Sequence, residues 1–273
     1  MFAINPFAAL AASISPGVMQ AYVVVMIVLV AAGTLFDIIH KGSAKYFFSS
    51  WRKPQKKKEV GAGELVAIGV KTAVVDVLAS GEFCNAKRRV AHLLTMYGFV
   101  LHVVATVVMV FDFSADSMWA HLWWIGGLML LAGGYWFWFF IRVDVAAEGS
   151  SRFRVMHADL FILSLLASVT LALIWAWLQA RGSGAAMIVF ALYVIATTVL
   201  FAGVPWSKFA HMFFKPAAAF EKRVSEANGT VQNLPTLTRD DPEQQARHSM
   251  ELLRNARWTW GLASSAKHRA TIN

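Results

Sequence analysis

Two histidines, His92 and His102, stand ten residues apart in the stretch KRRVAHLLTMYGFVLHVVATVVMVF, which has no charged residue from Val90 to Phe111. An imidazole in such a run is a metal ligand, a proton carrier or a satisfied core residue, because a polar group left unpaired there is costly. On a helix, ten residues rise about 15 Å and turn by a net of about 80°. The two rings therefore point into overlapping sectors at two depths. Stacked prosthetic groups in a bundle require this arrangement, since a b-type haem iron takes axial imidazoles from facing helices. No Asp or Glu lies within the apolar runs to complete a proton relay. The single cysteine, Cys84, cannot by itself hold a cysteine-ligated cluster or a structural zinc, so a redox cofactor here has to use histidine.

The elements that carry these residues are apolar helices. Of the 273 residues, 58% are hydrophobic, and the mean hydropathy of +0.53 is that of a polytopic membrane protein. A span needs about 20 apolar residues. Five segments, 16–36, 90–111, 118–141, 160–180 and 184–206, meet this without an internal Lys, Arg, Asp or Glu. The predicted fold is all-α, an integral membrane bundle of five transmembrane helices. The first run has no basic segment ahead of it and is taken as a retained helix rather than a secretory signal.

The net charge of +9 sorts by side of the membrane, which argues against nucleic acid as the partner. Residues 41–89 hold eleven Lys/Arg, 142–154 three and the chain after Trp206 ten, whereas the connections 112–117 and 181–183 hold only Arg181. The positive-inside rule then puts the N-terminus in the periplasm and the long loop and C-terminus in the cytoplasm of a bacterial inner membrane. Trp and Phe at the two ends of the third span suit headgroup anchoring.

Within loop 41–89, Glu64, Lys71 and Asp76 interrupt an apolar segment. An interfacial helix over 63–80 is predicted, with a stripe of Leu65, Ile68, Thr72, Val75 and Leu78. Pro216 is taken to end the fifth helix, dividing a membrane domain, 1–216, from a polar cytoplasmic tail, 217–273. That tail has too small an apolar face to fold alone, and its RWTWGL segment offers aromatic anchors for a partner.

His92, His157 and His211 fall near the cytoplasmic ends of their helices, and His102 and His121 toward the outer side. His40 ends the first helix, and His248 and His268 lie in the tail as solvated residues. Arg88, Arg89 and Lys208 stand within a turn of His92 or His211, placed for charge-assisted bonds to haem propionates or simply for topology. Tyr97 and Gly98 lie between the helix-two histidines; the glycine would admit a macrocycle or a close helix.

The motifs RRVAHLLTMYGFVLH, HADLFILSLLASVTLALI and VPWSKFAHMFFKP, over roughly 87–223, resemble the five-helix cytochrome b family of the respiratory nitrate reductase gamma subunit and its sulfur-metabolism relatives. The resemblance implies haem ligands at His92 and His102 on helix two and at His211 on helix five. Eighteen residues before His211, where the family carries a further histidine, stands Tyr193. The pair His92 and His211 is thereby kept for a haem near the cytoplasmic face. His102 pairs with His121, binds a haem opposite Tyr193 or no protein ligand, or serves a quinone site or packing without a haem. His157 either ligates or hydrogen-bonds a propionate or quinone. One haem b is expected, two being the alternative.

The resemblance implies electron transfer between membrane quinone and a soluble cytoplasmic flavin or iron–sulfur enzyme, docked through loop 41–89 and the tail. A quinone near the cytoplasmic haem would exchange its proton with His157, Asp159 or His40. The chain is most similar to the anchor of dissimilatory adenylylsulfate reductase, whose partner subunits feed electrons from sulfite oxidation to quinone. The competing reading is a haem-free membrane anchor that only recruits the soluble enzyme.

Overall fold

Apolar runs punctuated by Pro, Gly and Asx caps fold into helices, with no strand among the described residues. The computed structural model describes residues 2–40, 58–81, 83, 85–142, 153–156, 159–207 and 211–230, without the side chains of 211 and 213. Helix α1 is Pro6–Leu10, started by Asn5, whose side chain accepts from the Phe7 and Ala8 amides. Then follow α2 (Pro16–His40) and α3 (Ala62–Lys71), which continues as a π-helical segment, Thr72–Leu78. Helix α4 (Ala86–Phe111) is capped by Asn85, and α5 (Ser117–Trp136) is capped by Asp116 and extended by a π turn, Phe137–Ile141. Helices α6 (Leu160–Ala180), α7 (Ala186–Ala202) and α8 (His211–Ala227) complete the chain, with a 3-10 turn, Val204–Trp206, after α7.

Helices α2, α4, α6 and α5 with its π turn are long and apolar enough to cross a membrane. Helix α7 is apolar and 17 residues long, at the short end of the range of about 17–25 that a span needs. The protein is an all-helical membrane bundle. The residues of loop 41–57 and of the tail after 230, where partner docking is expected, lie outside those described.

Helices α4 and α5 touch backbone to backbone. A Cβ on Gly98 would lie 2.5 Å from the Leu130 amide nitrogen, and one on Gly133 2.6 Å from the Ala91 carbonyl oxygen. Small residues let membrane helices approach in this way, so Gly98 is used for helix packing. Helix α6 is the most enclosed, with 56% of its apolar window buried, against 17% for α2. Helix α2 is peripheral and pinned at points. Gln20 donates to the Val110 carbonyl at 3.4 Å, the Tyr22 hydroxyl donates to the Val194 carbonyl at 3.1 Å, and Gly33 sits against Val204. Helix α1 covers the end of the bundle where α4 finishes, tied by the Asn5 side-chain amide to the Met109 carbonyl at 3.0 Å and by Phe7 against Trp175 and Trp123.

On the other side, α3 packs against α8, with Gly69 beside Phe220. The predicted stripe holds through Leu65, Ile68 and Thr72 and then shifts by one residue: Val75 is exposed, while Asp76 turns in to Arg223. The π segment causes this shift, because its i→i+5 bonding advances the face by a residue per turn. Glu64 pairs with Lys58 at 3.6 Å across the surface, a contact of little energetic weight. A second departure concerns Pro216, which does not end a helix; it lies inside α8, so the 216/217 boundary falls within that helix. Its missing N–H would have bonded residue 212, so proline removes only one bond near the helix start.

Arg223 holds Asp76 through two bonds, Nε to Oδ2 at 2.6 Å and Nη2 to Oδ1 at 2.8 Å. The hydrogen bond to that carboxylate raises the guanidinium pKa above its ordinary value. Arg223→Ala is expected to cost about 1.5–3 kcal/mol, the range for bonds to charged groups. Hydrogen exchange should show faster opening of α8, and a double-mutant cycle with Asp76→Ala should return a coupling of the same order.

Candidate functional site: a cavity around His102

A cavity of about 780 Å³ lies between α2 on one side and α4, α6 and α7 on the other. Its size falls within the range of about 300–1,000 Å³ typical of ligand sites. On α4 it is lined by Phe99, His102, Val103, Thr106, Val107 and Val110, alternating steps of three and one that mark one helical face. On α2 its lining runs from Ile14 to Ile38 and so spans most of the membrane depth.

His102 is the buried imidazole of this site, 5% exposed. Its Nδ1 is 2.9 Å from the Trp123 carbonyl oxygen. A carbonyl can only accept, so Nδ1 carries the proton and Nε2 carries a lone pair. Nε2 is buried and has no hydrogen-bond partner among the described residues. Metal-binding histidines are commonly held in this manner, the second ring nitrogen donating to a carbonyl and fixing the tautomer. The ring stacks on the Trp123 indole at 4.6 Å between centroids and 27° between planes. The indole is fixed in turn, since its Nε1 donates to Thr106 Oγ1 at 2.9 Å and that hydroxyl donates to the His102 carbonyl at 2.7 Å. Gly127 leaves the space, because a Cβ there would stand 3.2 Å from Nδ1.

The rest of the lining is mostly apolar, with the thioethers of Met19, Met26 and Met212 and a few hydroxyls. Among the hydroxyls, Thr34 Oγ1 is buried without a partner. Among the described residues no group of three or more His, Cys, Asp or Glu could hold a bare metal ion. A haem brings four nitrogens of its own and needs only one or two protein donors, so the donor set present fits a haem better than a free ion.

The other predicted residues are distributed differently. His92 does not line the cavity; its Nδ1 lies 2.9 Å from Ser80 Oγ and its ring 4.9 Å from that of Phe83. Ser80 and Phe83 thus occupy the space beside His92. His211 begins α8 next to Met212, which lines the cavity. Its side chain, like His157 and Lys208, lies outside the described residues. His121 is exposed and bonded to the Ser117 carbonyl of its own helix at 2.8 Å, so the structure does not bring it to His102.

Tyr193 lines the cavity, stacked on Trp175 at 6.0 Å and 13°. Arg89 Nε and the Tyr97 hydroxyl each donate at 2.8 Å to the Ala79 and Leu78 carbonyls, capping the π segment. Arg88 is half-buried in the first turn of α4. His40 is exposed and stacked on Phe36. Asp159 is buried and committed to Arg142 at 2.6 Å and to the Met156 amide at 2.9 Å.

Sequence reasoning missed the Trp123 carbonyl, the contacts of Ser80 and Phe83 with His92, and the Arg142–Asp159 pair. The paired glycines Gly126-Gly127 and Gly133-Gly134, seven residues apart, were a signal of close packing beside His102.

The family model for citrate utilization protein B matches residues 1–231, and the chain belongs to that family. The match gives no support to the nitrate reductase gamma and adenylylsulfate reductase families that the motifs of 87–223 resemble. No curated protein matches the chain, and no solved structure does.

Proposed function

We propose that this member of the citrate utilization protein B family is a membrane electron-transfer subunit, passing electrons through haem b between a soluble redox enzyme and membrane quinone. One observation carries the reading: His102, whose Nε2 is buried and without a hydrogen-bond partner among the described residues, lines a large apolar cavity between helices. His102 would hold the iron and the apolar walls would bury the ring, while the macrocycle supplies the one-electron chemistry. The protein binds, orients and excludes water. A second haem would draw on His92, whose Nδ1 is bonded to Ser80, and on His211.

The family description directs the choice of soluble partner toward an oxidoreductase serving citrate utilization, in place of adenylylsulfate reductase. The distribution of basic residues supports a cytoplasmic docking side in a bacterial inner membrane.

The purified protein should show a reducible b-type absorption band, with one haem per chain by pyridine haemochrome. His102→Ala should remove that haem, whereas His92→Ala should retain it. Cofactor-replete material without the band would leave the haem-free anchor as the function. Loss of haem on His92→Ala alone would move the site to the cytoplasmic pair.

A further inference from the structure

Resting on the haem reading above, we infer that Met26 supplies the second axial ligand opposite His102, so that the iron is held by one imidazole and one thioether. Met26 is 7% exposed on a helix whose neighbouring Val25 and Ile27 are 51% and 55% exposed. Its side chain therefore turns from lipid into the cavity that it shares with His102.

The register of α2 puts it at the required depth. Gln20 reaches the Val110 carbonyl. Eight residues inward from Val110 is His102, and eight inward from Gln20 is Val28, so Met26 and His102 differ in depth by only about 3 Å at about 1.5 Å per residue. Three rival donors in the lining, Met19, Tyr193 and Tyr22, are displaced or occupied. Met19 is about 10 Å further out along α2. Gly33 packs on Val204, which makes Met26 level with Thr197 and places Tyr193 about 6 Å further outward. The Tyr22 hydroxyl is bonded to the Val194 carbonyl and to Thr198.

A thioether raises the reduction potential of a haem relative to a second imidazole. Magnetic circular dichroism and electron paramagnetic resonance of the ferric full-length protein, loaded with haem b, test the assignment. The wild type should give the near-infrared thioether-to-iron band. Met26→Leu, which nearly conserves volume, should lose it and bind carbon monoxide when reduced. Met26→His should show a bis-imidazole signature and a lowered potential, and Met19→Leu should match the wild type. A bis-imidazole signature in the wild type, or an unchanged spectrum in haem-loaded Met26→Leu, overturns the Met26 ligand while leaving the haem reading intact. Absence of haem from the wild type overturns both. If Met26→Leu does not fold, the wild-type spectrum decides by itself.

Discussion

If His102 holds a haem as proposed, Gly126→Leu is expected to lower its occupancy without replacing the imidazole. A Cβ at Gly126 would lie 2.7 Å from the His102 amide nitrogen and 2.9 Å from the Gly98 carbonyl oxygen, both backbone atoms of α4. Backbone cannot rotate away as a flexible side chain can, so α4 and α5 must separate at the level of His102. The Trp123 carbonyl sits on α5 and its partner ring on α4, so separation breaks the bond that fixes the Nε2 lone pair. Overpacking typically costs about 1–3 kcal/mol, and backbone obstruction places this change at or above the upper figure. The measurements are the melting temperature in detergent and the haemochrome content, both of which should fall. Gly17→Leu is the control, because nothing lies within 4 Å of a Cβ there. Equal loss in both variants would show that the effect is not one of helix contact.

Asp159→Ala should be the most destabilising single change at the α5–α6 connection. Arg142 and Asp159 are 7% and 8% exposed in their side chains and meet at 2.6 Å. Removing the carboxylate takes away the anion that meets a buried guanidinium and deprives the Met156 amide of its acceptor. Breaking such a pair costs about 3–5 kcal/mol. Two further contacts of Arg142, to the Arg154 carbonyl at 2.9 Å and over the Trp138 ring at 3.8 Å, involve no formal anion. Replacing both partners with apolar residues, Arg142→Met with Asp159→Leu, should recover much of the loss, because two desolvated charges are then absent together. Thermal melts of the two single variants and the double variant measure this. A double variant no more stable than Asp159→Ala would mean that the pair supports the connection by geometry rather than by charge balance.

The five apolar runs were legible because hydrophobic content acts locally: a helix in hydrocarbon must satisfy its own backbone groups, so its length follows from the chain alone. The helix starts at Asn5, Asn85 and Asp116 have the same local character, a side-chain oxygen accepting from amides two or three residues on. The shift at Val75 and Asp76 was not legible, since a π segment changes the period on which the stripe was counted. Pro216 misled because its cost depends on where the helix begins, and α8 begins at His211.

What the sequence determined by itself was an all-helical membrane bundle and a short set of candidate histidines. Periodicity places His92 and His102 in related sectors but does not say what stands in front of either ring. The tertiary structure decided that, putting Ser80 and Phe83 beside His92 and a cavity before His102. The physical reason is that the availability of a lone pair depends on contacts between helices distant in the chain. For His102 those are the Trp123 carbonyl that takes one ring proton and the apolar walls that offer the other nitrogen nothing.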